Sequence, residues 1–503
     1  MRLGRSEMRV SALWLTVFFL TAFLSVSSGI IASTDGLYVF KVTQALVERG
    51  EITISGENIP TGHEEQSVSR FGLGLSLAAI PSYLLGRLVS VFAPESFQSL
   101  VLKGSVSLTN VVVSALVCLL LFLTGRQLGY SDRVSLLLTV CFAFTTFFIV
   151  YATKSFLTQP LETLCLVGTL YCLIKYSRAP DTMAALYAGG FCGIGILTKW
   201  VFLINLPIVI AYLLAASGRN RRARDLSSFA LPVMLFLALA LGYNYMRFGS
   251  IVRTGYGGVA VFSTPLLVGL YGLLFSAGKS LFLYAPIAVL GCVAMRPFGK
   301  SHRREMLLLL GLFSANLMIS STYHTWAGEG SWGPRYLTVV LPCLVLPFGT
   351  MLEGASRQIR RGVLALSLVG LLVQFGGVSI YYGTYYRVIG EYPYQSVPSD
   401  PLFMYKAHFV PNYSPAWRHM KIAVRNWGRF LRGEKPAFTI KAGSERIPLS
   451  DADLAKLPET LDLWFAYAYY AGVPFGLCLL GMTSLIGAAA VMGWRLYRQC
   501  GES

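Results

Sequence analysis

Asp35 stands just beyond the first long apolar run of the chain, Val10 to Ile31, in the stretch "STDGLYVFKVTQALVERGEI". A carboxylate in such a place has two readings. Asp is a favoured helix N-cap, and residues 36 to 49 carry a helical pattern, with Leu37, Phe40 and Val47 apart from the polar Lys41, Gln44 and Glu48. No Glu or Gln completes a capping box, because Tyr38 stands at that position. Alternatively, Asp35 is the working acid of an enzyme at a membrane surface, able to take the proton of an attacking hydroxyl. Glu64 and Glu65 in "TGHEEQSVSR", and Glu329 in "HTWAGEGSWGPRY", are secondary acid candidates. His63 beside Glu64 and Glu65 suggests a metal, but the acids are adjacent rather than at ligand spacing, which favours a solvated loop.

The basic candidates are Arg70, Lys154, Lys199, Arg253, Lys279 and Arg335. Arg70 leads into a glycine-containing apolar element, where it can meet an anionic headgroup or serve as an interfacial anchor. The other five fall on the outer side or at helix mouths, where the positive-inside rule disfavours cations. Any one of them can be a snorkelling helix-end residue; five in one tier suggest an anionic ligand, and phosphate suits guanidinium and ammonium groups. His324, Trp326 and Trp332 surround Glu329 near Arg335 in a glycine-rich stretch that lets backbone approach a ligand. Their rings offer faces to a sugar or an isoprenoid chain; an interfacial aromatic belt explains the indoles but not Glu329.

The elements that must position these residues follow from composition. The chain has 503 residues, 54% hydrophobic and 13% charged, a balance that excludes an ordinary soluble domain. Apolar runs of about 20 residues recur from Val10 to Trp494, with short polar loops between them. The net charge of +18 lies mostly in short loops such as "GRNRRARD" and "RPFGKSHRRE", and therefore reads as topology rather than as a nucleic-acid surface. Cys500 lies in the basic tail and the other cysteines lie in apolar runs, so neither a disulfide framework nor a cysteine metal site is implied. The basic N-terminus and first apolar run resemble a signal peptide, but the run is long enough to span, and an uncleaved helix is expected.

Placing every basic cluster in the cytoplasm requires that residues 71–93 and 265–282 do not cross. An all-α polytopic membrane protein results, with about twelve transmembrane helices, the first near 10–31 and the last near 465–494, and with re-entrant or juxtamembrane helices on the outer face. Both termini are then cytoplasmic. Residues 1–381 form the core, with a first outer loop at 32–102. Residues 382–464 form an extracytoplasmic segment, a small α/β or helical domain, in which "WRHMKIAVRNWGRFLRG" reads as a basic helix near lipid headgroups. Residues 465–503 supply the last helix and a basic tail.

Several stretches in order resemble the C-type membrane glycosyltransferase superfamily (GT-C), in its bacterial branch related to dolichyl-phosphate-mannose protein mannosyltransferases and lipid A aminoarabinose transferases. They are "STDGLYVFKVTQALVERGEI", "SRFGLGLSLAAIPSYLLG", "TKSFLTQPLETLCLVGTLY", "GILTKW", "YNYMRFGSIVRTGYG", "GLLFSAGKSLFLYAP" and "SWGPRYL". The resemblance implies transfer of one sugar, with inversion, from a polyprenyl-phosphate donor to a hydroxyl of a lipid, glycan or protein acceptor on the extracytoplasmic face of a bacterial inner membrane. It matches the family's key acid to Asp35. Many relatives carry a second acid next to it where this chain has Gly36, which leaves Glu64 or Glu65 as substitutes. Membrane lipids are the other partner expected, nucleic acid is not, and no ligand cluster commits the chain to a metal, so a divalent cation stays open. The competing reading is a transporter or glycolipid flippase, which calls for ionisable residues near the midplane and two related halves.

Overall fold

The computed structural model describes residues 5–54, 67–154, 156–256, 262–391, 400–436 and 459–502. Among them the chain is helical, with one isolated antiparallel bridge between Thr53 and Val68. Helix α1 (Arg5–Ser25) stops short of the expected residue 31. Ser25 and Ser27 turn their hydroxyls back onto the Ala22 and Leu24 carbonyls, and Gly29 adopts a φ of 68° that redirects the chain. Residues 26–33 then lead into α2 (Thr34–Arg49).

Two short helices follow, α3 (Gly74–Ala78) and α4 (Ile80–Ser90). At about 1.5 Å per residue neither can cross a hydrocarbon core about 30 Å thick. Leu84, Leu85 and Leu88 of α4 are exposed, as suits a helix lying along the membrane surface. Helices α5 (Glu95–Ser107) and α6 (Thr109–Gln127) run on almost without a break, and α7 (Asp132–Thr145) and α8 (Phe148–Thr153) return. Next come α9 (Gln159–Arg178), α10 (Thr182–Thr198), a short 3-10 turn (Trp200–Asn205) and α11 (Leu206–Ala216). The long α12 (Arg222–Phe248) precedes α13 (Leu266–Phe275), which is again too short to span. The core closes with α14 (Leu281–Tyr284), α15 (Ala288–Ser301), α16 (Arg303–Thr322), α17 (Leu341–Leu352) and α18 (Arg357–Ser379).

Within the segment 382–464, the described residues form α19 (Tyr382–Val388), α20 (Tyr405–Phe409) and α21 (Pro415–Leu431), and α21 packs on α18. Residues 437–458 lie outside the described residues. The expected final span is broken: α22 (Trp464–Tyr470) and α23 (Phe475–Glu502) are separated at Gly472, whose φ of 111° no helix tolerates, and at Pro474.

Among the described residues, five helical stretches are long and apolar enough to cross a membrane: Phe97–Gln127, Arg222–Phe248, Arg303–Thr322, Arg357–Ser379 and Phe475–Cys500. Leu231, Leu235 and Leu239 of α12 and Leu364, Leu368 and Leu372 of α18 point outward, as lipid contact requires. Inside, Phe19, Phe23, Phe144 and Phe148 stack between α1, α7 and α8, and α9 sits between α6 and α10. The N-terminus of α9 and the C-terminal ends of α10 and α16 converge, and the candidate residues gather there.

Candidate active site

Asp35 is not the helix cap. Ser33 caps α2, accepting a hydrogen bond from the Gly36 amide at 3.1 Å, and Asp35 lies in the first turn with its carboxylate free for other partners. The Gly36 backbone presses on the neighbouring loop, so a Cβ there would lie 2.7 Å from the Phe156 carbonyl oxygen. A second acid at this position has no room.

Two arginines flank that carboxylate. Arg70 donates from Nη2 to Asp35 Oδ1 at 3.2 Å, and Arg335 Nη1 lies 3.7 Å from Oδ2. Burial works against the Arg70 charge, but the charge and hydrogen bond of Asp35, with Tyr256 and Glu329, outweigh it, and its pKa lies above the ordinary arginine value. Arg335 also donates to the Tyr336 hydroxyl at 3.3 Å. These groups face a cavity of about 610 Å³, within the size range of small-molecule sites. Lys199, at the end of α10, lies 3.7 Å from Glu162 Oε1 and 5.1 Å from the centre of the Tyr336 ring. His324 and Glu329 complete the set of expected residues on the wall.

The structure therefore brings together Asp35, Arg70, Lys199, His324, Glu329 and Arg335. It places the other candidates elsewhere. Lys154 is buried and donates to the backbone carbonyl of Asp462, fastening α8 to the segment before α22. Lys279, also buried, donates to the carbonyls of Glu329 (2.9 Å) and Ser331 (2.6 Å). It thereby pins a loop in which Glu329 holds a φ of 55°, uncommon for a residue with a side chain. Arg253 is exposed and lies over Phe248, outside the cavity lining. Trp326 donates to the Pro401 carbonyl and Trp332 to Gln374, so both indoles are core fasteners rather than ligand platforms. Glu64 and Glu65 lie outside the described residues. Among the described residues no group of three or more His, Cys, Asp or Glu converges as a metal site would.

Sequence reasoning missed Glu162, which lines the cavity almost fully buried, and the aromatic wall of Tyr256, Tyr323 and Tyr336. The available signal for Glu162 was an acid embedded in the apolar run of "QPLETLCLVGTLY".

The architecture is that of an integral membrane protein with the GT-C fold. ArnT from Cupriavidus metallidurans bound to undecaprenyl phosphate aligns over 98% of this chain and 78% of its own, at 14% identity and a TM-score of 0.52. Residues 99–244 match the family model for dolichyl-phosphate-mannose-protein mannosyltransferase, a stretch that holds Glu162 and Lys199 but not Asp35, Arg70 or Arg335. The Archaeoglobus fulgidus oligosaccharyltransferase in the apo form aligns over 92% of this chain and 63% of its own, at 12% identity and a TM-score of 0.44. No curated protein sequence matches the chain.

Proposed function

We propose that the chain is a polyprenyl-phosphate-dependent glycosyltransferase, moving one hexose or pentose with inversion to a hydroxyl of a lipid, glycan or protein acceptor. The observation that carries the reading is the Asp35 carboxylate held between Arg70 and Arg335 on the wall of a cavity large enough for a sugar phosphate. The likeness in fold to a protein seen with undecaprenyl phosphate, and the partial match to a mannosyltransferase family, support the same class. On the positive-inside rule the cavity opens on the extracytoplasmic face of a bacterial inner membrane, with both termini in the cytoplasm.

The donor phosphate enters as an anion and draws Arg70 and Arg335 from Asp35, with Lys199 as a third cation nearby. Asp35, released from its ion pairs, accepts the acceptor's hydroxyl proton while that oxygen bonds to the anomeric carbon. The bond from that carbon to the phosphate oxygen breaks, and its electron pair leaves as polyprenyl phosphate, stabilised by the two guanidinium groups. The aromatic wall of Tyr256, Tyr323 and Tyr336 offers ring faces to the sugar. One proton and one sugar change hands, and no other reactant is needed.

The test is transfer from radiolabelled polyprenyl-phosphate sugars to an envelope extract by the purified protein, with Asp35→Asn alongside. Transfer by the wild type alone is expected. Equal transfer by both removes Asp35 from the chemistry; no transfer by either, across several sugars, rejects the enzyme in favour of a transporter or flippase.

A further inference from the structure

Arg247, in the last turn of α12, lies outside the cavity lining and is almost wholly buried. From Nη1 it donates to the Ser69 carbonyl and, at 3.0 Å, to the Phe71 carbonyl, the two residues on either side of Arg70. From Nη2 it donates to Asn244 Oδ1 at 2.7 Å, and from Nε to the Tyr243 carbonyl at 3.3 Å. The rings of Tyr243 and Phe248 cover its faces at 3.9 and 4.7 Å. Asn244, oriented by the same guanidinium, donates to the Ile251 carbonyl at 3.2 Å and fixes the strap that follows α12. That strap comes back over Arg70: a Cβ on Gly255 would lie 2.3 Å from the Arg70 Cα. The Arg70 backbone is thus held from below by Arg247 and from above by Gly255.

We infer that Arg247 is a positioning residue, which sets the Arg70 guanidinium against Asp35 and against the donor phosphate. The inference rests on the transferase reading above. Its basis is the partner set: a buried cation whose hydrogen bonds go to backbone carbonyls and an amide is an expensive way to stabilise a fold, because ordinary apolar packing would do as well. What apolar packing cannot do is grip backbone carbonyls on both sides of one arginine. A planar five-donor group can.

The experiment is a double-mutant cycle with Arg247→Met and Arg70→Ala in the full-length protein. It is read three ways: binding of a short-chain polyprenyl phosphate, sugar transfer, and thermal stability. Arg247→Met is expected to weaken binding and to lower transfer about 10²-fold in the wild-type background. With Arg70 already removed, the same substitution should change binding and transfer by no more than about twofold, while the melting temperature drops equally in both backgrounds. Asn244→Ala, which loosens the grip without deleting a buried charge, should show the same pattern at smaller amplitude and serves if Arg247→Met does not fold. Equal losses in both backgrounds would make Arg247 a general structural tie and overturn the inference alone. A wild-type protein that neither binds the lipid phosphate nor transfers sugar rejects the functional reading and the inference with it.

Discussion

Asp225 and Asp35 each meet two arginines, and α9 runs between their surroundings. Near its last turn, Tyr176 donates to Asp225 Oδ2 at 2.5 Å, and Thr182 donates to Oδ1 at 3.0 Å. Arg221 and Arg224 lie 3.5 and 3.9 Å away, and the Asp225 side chain is fully buried. In the first turn of α9, roughly 20 Å along the axis, Glu162 lines the cavity that Asp35 also faces. Asp35 is a quarter exposed, and its two ion-pair partners, Arg70 and Arg335, are cations. The charges are alike and the surroundings are opposite. Asp225 is satisfied by neutral hydroxyls, and its arginines, both more than a third exposed, add little. Asp35 is held by two guanidinium groups beside a cavity, and on the function proposed above the donor phosphate exchanges with it.

The contrast is broken first at Asp35. Asp35→Asn keeps the shape and leaves the Ser33 cap untouched, so the melting temperature should hold while transfer falls about 10³-fold. A parallel loss of stability would mean that Asp35 resembles Asp225 after all. Asp225→Ala should give the mirror image: about 1–3 kcal/mol of stability lost, because the hydroxyls of Tyr176 and Thr182 lose their acceptor, with transfer per folded molecule unchanged. Thermal melts beside single-turnover assays decide both. Arg335→Lys comes next. It keeps the charge but loses the fork that reaches Asp35 and the Tyr336 hydroxyl together, and a fall in transfer of about 10²-fold is expected, mostly in kcat. A change confined to KM would instead make Arg335 a ground-state anchor.

Much of this arrangement was legible in residue types. The apolar runs mark the helices, and the sign rule singled out residues 71–93 and 265–282, which hold the short helices α3, α4 and α13. The same rule found a tier of cations but not their partners. Lys199 and Arg335 face the cavity, whereas Lys154 and Lys279 spend their donors on backbone carbonyls. A carbonyl becomes a partner only through tertiary placement, which no spacing in the sequence encodes. Ser33 and Asp35 are both good caps two residues apart, and propensity alone does not choose between them. Glu162 reads as an ordinary acid in a first helical turn, and only the packing of α9 against the ends of α10 and α16 turns it towards the cavity. Arg247 sits within a quoted motif, yet its grip on Ser69 and Phe71 spans 176 residues of chain.

The smallest effect is expected at Glu162, and its sign is the informative part. Glu162 adds a negative charge to a cavity lined also by Asp35, Glu329, Arg70, Lys199 and Arg335, and it lies 3.7 Å from Lys199. If it acts as a counterweight, Glu162→Gln raises the positive potential felt by an anionic donor. Polyprenyl phosphate should then bind about tenfold tighter at low salt, with the gain shrinking as salt is added. Transfer would slow at saturating donor, because the leaving lipid phosphate is the same anion and is held longer. Weaker donor binding, independent of salt, would mean that Glu162 hydrogen-bonds the sugar, and the two poles of the cavity would then divide the donor between them, phosphate at Arg70 and Arg335 and sugar at Glu162.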